Sequence, residues 1–234
     1  MITAGSAHAA KVQAMFSRIA GRYDLLNRLM TFGRDGAWRR LVVAEAALAP
    51  GARLLDLGSG TGDIALEALR RVERLTVVGA DFTLPMMQVG RARPGGARVL
   101  WCGADALRLP FADGTFDAVT SGYLVRNVSD PLRAFQEMAR VVKPGGRVVC
   151  LDTSPPPRNL ARPLILLHLR FVIPLLGRLI AGDADAYRYL PASTEGFKTP
   201  AALAAVMREA GLADVRYRRL MLGSIAVHTG ERAP

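Results

Sequence analysis

The sequence predicts a doubly wound α/β domain with seven strands. Three observations carry that reading. Residues 54–63 read Leu-Leu-Asp-Leu-Gly-Ser-Gly-Thr-Gly-Asp, an apolar strand running through a glycine turn into a helix. Short apolar segments bounded by Gly, Pro or Asp then alternate with helical ones, as buried parallel strands and their crossovers do. Two final apolar segments flank Leu222-Gly223, a connection tight enough to require an antiparallel pair at a sheet edge.

The elements follow in order. Val12, Met15, Phe16 and Ile19 fall at helical spacing and form one apolar stripe, so residues 1–48 read as a helical lid. Strands are expected over 53–57, 76–81, 98–102, 116–121 and 147–152. Helices are expected over 64–71, 85–93 and 131–142. The last opens on Asp130 before Pro131, a capping residue and a first-turn proline, and stops at Lys143-Pro144-Gly145-Gly146. Residues 155–190 form an insertion whose 160–180 stretch is apolar almost all round. His168, Arg170 and Pro174 interrupt it too often for a bilayer span, which needs about 20 apolar residues. It reads as a buried helix pair roofing a lipid-like substrate. The alternative is a segment that dips into a membrane interface with Arg158, Arg162, Arg170 and Arg178 near headgroups. A helix over 200–210, capped by Thr199 and closed by Gly211, precedes strands over 215–220 and 224–229.

Length and composition fit one domain over 1–234. A chain of this size buries roughly 70% of its unfolded surface, enough to need neither a metal nor a disulfide. Cys102 and Cys150 sit in apolar strand-like stretches, as thiols of a reducing cytoplasm do. Met1 to Ala10 lacks the basic start and long apolar core of a secretion signal. The net charge of +11 points to an anionic partner, nucleic acid or an anionic membrane surface. The basic residues are nearly all Arg in a chain rich in Ala, Gly and Pro, which GC-rich coding also produces. Charge alone therefore does not choose the partner.

The glycine run holds the first candidate site. Gly58, Gly60 and Gly62 bring bare backbone beside a ligand at a strand-to-helix turn. The spacing is not that of the dinucleotide fingerprint, and no Lys-Ser/Thr follows to make a P-loop. Asp56 sits two residues before the first glycine. Asp81 ends the next apolar run, where an acid can accept hydrogen bonds from ribose hydroxyls. Asp105 is a third acid in the order expected of a nucleoside site, or simply the acid of a turn. Tyr23, Asp24 and Asn27 are polar among apolar neighbours in the lid. Arg126 follows the fourth strand at its carboxyl end, where ligands bind in such sheets.

The acid-Leu-Gly-x-Gly-x-Gly run resembles motif I of the class I S-adenosylmethionine-dependent methyltransferases, which implies a Rossmann-like fold. A closer resemblance spans residues 11–230. Tyr23-Asp24-x-x-Asn27 with Phe32-Gly33 and Trp38 is similar to the first signature of the ubiquinone/menaquinone biosynthesis C-methyltransferases. Arg140-Val141-Val142-Lys143-Pro144-Gly145-Gly146, continued by Leu151-Asp152-Thr153-Ser154, is similar to their second. Val125-Arg126-Asn127-Val128 and Tyr187-Arg188-Tyr189-Leu190 lie in family order. Four positions depart from the family pattern: Thr31 for Ser, Asp35 for His, Gly122 for a cofactor-contacting Ser, and Asp152 for Glu.

The resemblance implies methyl transfer from S-adenosylmethionine to a ring carbon of a prenylated quinol, most simply 2-demethylmenaquinol to menaquinol. It carries cofactor contacts to Thr61, Asp81, Asp105 and Ala106, with Asp56, Gly58 and Gly60 completing the cradle on physical grounds. It points to Arg126 as catalytic, which at neutral pH means electrostatic stabilisation of a phenolate rather than proton removal. A salt bridge from Arg126 to Asp130 or another acid is the plainer expectation. Tyr23, Asn127 and Tyr187 are the substrate-positioning candidates, and His168 is a candidate proton acceptor or a structural residue. Peripheral contact with an anionic membrane on the inner face of the cell, and a homodimer, complete the expectations. An RNA methyltransferase and a non-catalytic cofactor-binding subunit are the alternatives. The absence of an aromatic-rich basic face and the apolar insertion weigh against a nucleic-acid partner.

Overall fold

A computed structural model describes residues 4–178 and 184–233, with the side chains of residues 4–9, 184–188 and 190 left undescribed. Seven strands form one sheet in the order β3-β2-β1-β4-β5-β7-β6. They are β1 (Arg53–Leu57), β2 (Thr76–Asp81), β3 (Leu100–Gly103), β4 (Phe116–Gly122), β5 (Val142–Thr153), β6 (Leu212–Leu220) and β7 (Ile225–Arg232). The first five run parallel, while β7 is antiparallel to both β5 and β6. The order reverses at β1, whose neighbours are β2 and β4. That switch point opens a crevice at the carboxyl ends of the strands.

The helices divide between the two faces and a cap. On one face, α3 (Asp35–Glu45) and α4 (Asp63–Arg71) bury Trp38, Val42, Ala65 and Leu69 against Leu54, Val77 and Val149. On the other, α6 (Pro131–Val141) and α10 (Pro200–Glu209) pack Phe135, Met138, Leu203 and Met207 onto Leu55, Leu57 and Val148. Asp130 caps α6 by accepting the Arg133 N–H at 2.9 Å, and Thr199 caps α10 in the same way, so both sequence signals place their helices. α5 (Leu84–Ala92) follows β2.

A third apolar cluster builds the cap over the crevice. It joins α1 (Ala4–Ile19) and α2 (Tyr23–Met30) to the insertion, where α7 (Arg162–Leu167) continues through a π-helical turn at His168–Val172 into α8 (Ile173–Leu176). Met15, Ile19, Leu26 and Met30 meet Ile165, Leu169 and Ile173 there. Within the insertion α7 and α8 thus make one interrupted helix, and α9 (Ala184–Glu195) is a second helical segment. Among the described residues no helix is long and apolar enough to cross a membrane.

The last two strands run longer than expected, from Leu212 and to Arg232, and two further boundaries differ for local reasons. Residues Gly96–Arg98 make a 3-10 turn, so the third strand starts at Leu100 instead of residue 98. The Lys143-Pro144-Gly145-Gly146 run does not separate α6 from the next strand. Val142 already pairs with Phe116, and pairing shifts to Ala118 opposite Arg147, leaving the four residues as a bulge inside β5. A Cβ on Gly146 would stand 2.5 Å from the Asp117 carbonyl oxygen, so only glycine fits that bulge.

Candidate active site

The glycine turn after β1 has the conformation its sequence demands. Gly58, Gly60 and Gly62 have φ of 66°, 53° and 81°. Side chains are also excluded by space, since a Cβ at Gly58 would lie 2.9 Å from Leu124 and one at Gly62 2.6 Å from Trp101. The flanking acids fasten the turn. Asp81 accepts the Gly60 N–H at 2.8 Å and the Thr83 N–H at 2.7 Å. Asp56 accepts the Thr120 hydroxyl at 2.9 Å and the Ala65 N–H at 3.1 Å. Burial pushes both carboxyls upward, that of Asp56 to about 7, against the hydrogen bonds that favour their ionised forms.

A chain of alternating charges runs round this turn. The Thr61 hydroxyl donates to Asp24 at 2.6 Å, and Asp24 pairs with Arg93 at 3.1 Å. Arg93 reaches Asp63 at 2.7 Å, Asp63 pairs with Arg39 at 2.6 Å, and Arg39 closes on Asp35 at 2.6 Å. Lid helix α2 is thereby tied to the glycine turn. Asp35, one of the departures from the family pattern, is an ion-pair partner inside this chain. Asp105 is exposed, and one of its oxygens accepts the Leu107 N–H at 2.9 Å in a tight turn. Its other oxygen has no partner among the described residues. Ala106 is buried beside it.

Three cavities lie in a row. The first, about 40 Å³, is lined by Asp56, Gly58, Ser59, Thr61 and Arg39. The second, about 80 Å³, takes Arg126, Thr153, His168 and Thr194 into its walls. Tyr23, Asn27 and Tyr123 line both and frame the passage between them. The third, about 220 Å³, shares His168 and Leu169 with the second and opens outward between Phe32, Leu164, Leu167 and Leu222. The series runs from polar through mixed to apolar.

Arg126 is buried, and its guanidinium pairs with Asp152 at 2.6 Å. Asp152 also accepts the Arg126 backbone N–H at 3.1 Å. The salt bridge expected to an acid therefore exists, but with Asp152 on the neighbouring strand rather than with Asp130. Arg126 still has a buried Nε without a partner among the described residues. Ser59 Oγ and the Tyr123 hydroxyl are likewise buried and unpartnered among them. Buried polar atoms without partners are rare and costly. Three of them along one row of cavities are what a site shaped for a polar ligand leaves open.

The remaining expected residues divide. Tyr23 is in place at the passage. Asn127 does not line the cavities: its amide donates to the Tyr123 carbonyl at 2.8 Å and accepts from the Tyr189 hydroxyl at 3.2 Å. Tyr187 belongs to α9, and its side chain lies outside the described residues. His168 Nε2 stands 2.9 Å from the Met30 carbonyl, which can only accept, so that nitrogen carries the hydrogen. Burial lowers its pKa and keeps the ring neutral. Sequence reasoning missed Arg39, Ser59 and Tyr123. Tyr123 had a signal: it directly follows β4 at the carboxyl edge of a strand beside the switch point.

The sheet order, the glycine turn and the acid at the end of β2 define the class: an S-adenosylmethionine-dependent methyltransferase of the α/β type. The unpartnered Ser59 hydroxyl and the side-chain-free cradle at Gly58 and Gly62 fit that nucleoside donor. The chain belongs to the ubiE/COQ5 methyltransferase family, whose family model matches residues 4–232. It is 49% identical to the ubiquinone/menaquinone biosynthesis C-methyltransferase UbiE of Desulfotalea psychrophila, covering 94% of this chain and 89% of that one. It is 48% identical to a demethylmenaquinone methyltransferase of Thermus thermophilus, over 93% of this chain and all of the relative. The fold is also that of phosphoethanolamine N-methyltransferase 2 from Haemonchus contortus, solved with S-adenosyl-L-methionine. The TM-score is 0.65 at 15% identity, over 85% of this chain and 53% of that one.

Proposed function

We propose that this chain methylates a ring carbon of a prenylated quinol, converting 2-demethylmenaquinol to menaquinol, the reaction type named for its close relatives. One observation supports the substrate class above the others: the mixed polar and apolar cavity at Arg126 continues into an apolar one that opens between Phe32, Leu164 and Leu222. A quinol head with a long isoprenoid tail needs both. An RNA substrate has no use for the second, and a non-catalytic subunit has no use for a passage between donor and acceptor cavities.

Bound at the glycine turn, S-adenosylmethionine supplies an electrophilic methyl group whose bonding pair stays on sulfur when the carbon is transferred. Gly58 and Gly60 would admit it closely, Asp81 would hold its ribose, Thr61 and Asp56 would bound its methionine end, and Asp105 with Ala106 would receive the adenine. Arg126 stabilises the ring oxygen as the neighbouring carbon becomes nucleophilic. A phenol ionises near pH 10, so this stabilisation must be strong at neutral pH. The hydroxyl proton leaves to a water beside Arg126 as the carbon attacks. The methylated carbon then gives up its ring hydrogen as a proton while the oxygen regains one, so the ring returns to a quinol and one proton is released per methyl transferred. Tyr23 orients the ring, and Asn127 acts from behind by holding the Tyr123 backbone. The test offers labelled S-adenosylmethionine with reduced prenyl-naphthoquinol, reduced prenyl-benzoquinol and total RNA. Label on the naphthoquinol is expected; label on RNA alone, or donor binding without any product, overturns the reading.

The same reading extends to the membrane. Leu160, Leu164, Leu167, Phe171 and Leu175 recur at helical spacing along the insertion and are all more than half exposed. Arg158, Arg162 and Arg178 lie exposed around them. The inner stripe of the insertion packs on the lid. The outer one is suited to an anionic bilayer on the cytoplasmic side, from which a tailed quinol enters the third cavity.

A further inference from the structure

We propose that the Tyr123 hydroxyl donates a hydrogen bond to the quinol oxygen next to the carbon being methylated. The inference rests on the quinol reading and names the group that meets the reacting ring. A methyl passing from the first cavity to the second must cross the passage framed by Tyr23, Asn27 and Tyr123. The accepting carbon is activated by a hydroxyl on the adjacent ring position, so that oxygen lies one bond further from the donor, within reach of the same three residues. Tyr23 is engaged by the Asn27 side chain, a hydrogen bond that favours its ionised form against burial. The Tyr123 hydroxyl is sealed from solvent and has no partner among the described residues.

The surroundings make this hydroxyl a donor. Tyr23, Arg126, Arg39 and Asp152 are the titratable groups that act on it, and Tyr123 lines both the cavity that holds Arg39 and the one that holds Arg126. Burial raises its pKa, so it keeps its proton at neutral pH and can stabilise a phenolate rather than deprotonate a phenol. The Arg126 guanidinium lies over its ring, 5.2 Å from the centroid, and fixes the plane. The backbone is held in a conformation most side chains avoid, with φ at 58°, by its N–H to the Leu151 carbonyl at 2.7 Å and its carbonyl from Asn127 at 2.8 Å. Such strain is retained where the surroundings over-determine it.

Tyr123→Phe tests this without disturbing the fold, because the lost hydroxyl bonds nothing among the described residues. With labelled donor and reduced prenyl-naphthoquinol, kcat is expected to fall about tenfold, the cost of one hydrogen bond to a developing charge. Donor affinity measured by calorimetry stays within about twofold, and the melting temperature of the free protein holds or rises, since a desolvated polar group has been removed. Unchanged kcat overturns the inference. So does a matching loss of donor affinity, which would put the hydroxyl on the donor, or a fall in melting temperature, which would reveal a partner in the free protein. Wild-type protein that binds donor but methylates no quinol overturns the functional reading and this inference with it. Wild-type turnover with an unaffected Tyr123→Phe overturns this inference alone.

Discussion

At the scale of single residues, the site is a contest between burial and pairing. Arg126 and Asp152 are both almost wholly buried, and removing one partner strands the other. Arg126→Ala should therefore cost about 3 kcal/mol of stability by chemical denaturation as well as turnover. Arg126→Gln with Asp152→Asn separates the two effects: most of the stability returns, whereas kcat stays low because no cation faces the ring. Recovery of kcat in the double variant would remove Arg126 from the chemistry. Asp56 behaves oppositely. Its carboxyl is raised from 3.8 to about 7, so the folded state binds a proton that the unfolded state has already released in that interval. Its contribution to stability is therefore lost as pH rises from about 4 to 7. Asp56→Asn does not titrate, so its melting temperature relative to wild type should climb across that range and level off above it. A flat difference would mean that Asp56 is ionised in the folded protein throughout. The Arg126 partner was hidden from the sequence for a physical reason. Asp152 lies 26 residues away and reaches Arg126 only because β4 and β5 align in parallel, with Gly122 opposite Leu151.

At the scale of elements, most of the sheet was legible, because each strand is an apolar run ended by a residue that cannot continue it. β1 and β2 fall where the sequence puts them, and β4 differs by one residue. What escaped depends on contacts between elements. Gly90 within α5 looks like a weak point in a helix, yet a Cβ there would drive into the Trp101 indole and stand 2.9 Å from the Thr61 carbonyl oxygen. In an open helix Gly→Ala gains up to about 1 kcal/mol. Here overpacking against a backbone carbonyl wins, and Gly90→Ala should destabilise the fold by about 2 kcal/mol. Because Thr61 belongs to the glycine turn, donor affinity should weaken in the same variant. A neutral or stabilising effect in denaturant melts would show that α5 can slide away from β3. The insertion was the other shortfall. An all-apolar segment has no periodicity to read, so its inner and outer stripes separated only once Ile165, Leu169 and Ile173 were seen to face the lid.

At the scale of the whole molecule, charge and grease act on different steps. On the proposed reading, a net charge of +11 would draw the chain to an anionic surface from a distance, within a few Debye lengths and less at high salt. The exposed leucines of the insertion act only on contact. Leu164 and Leu167 stand 61% and 52% exposed while also walling the outer cavity, which on the proposed reading places them to meet both a bilayer and the tail. Leu164→Ser with Leu167→Ser should thus reduce flotation with anionic vesicles and lower kcat/KM for a long-tailed quinol presented in them by about tenfold, a little over one kcal/mol of lost apolar contact. Turnover of a short-tailed quinol in solution should be nearly unchanged, because the ring site around Arg126 is built by other elements. Equal losses on both substrates would assign these leucines to the fold alone. Undiminished flotation with a selective loss on the long tail would instead assign them to the cavity and leave the arginines to hold the surface.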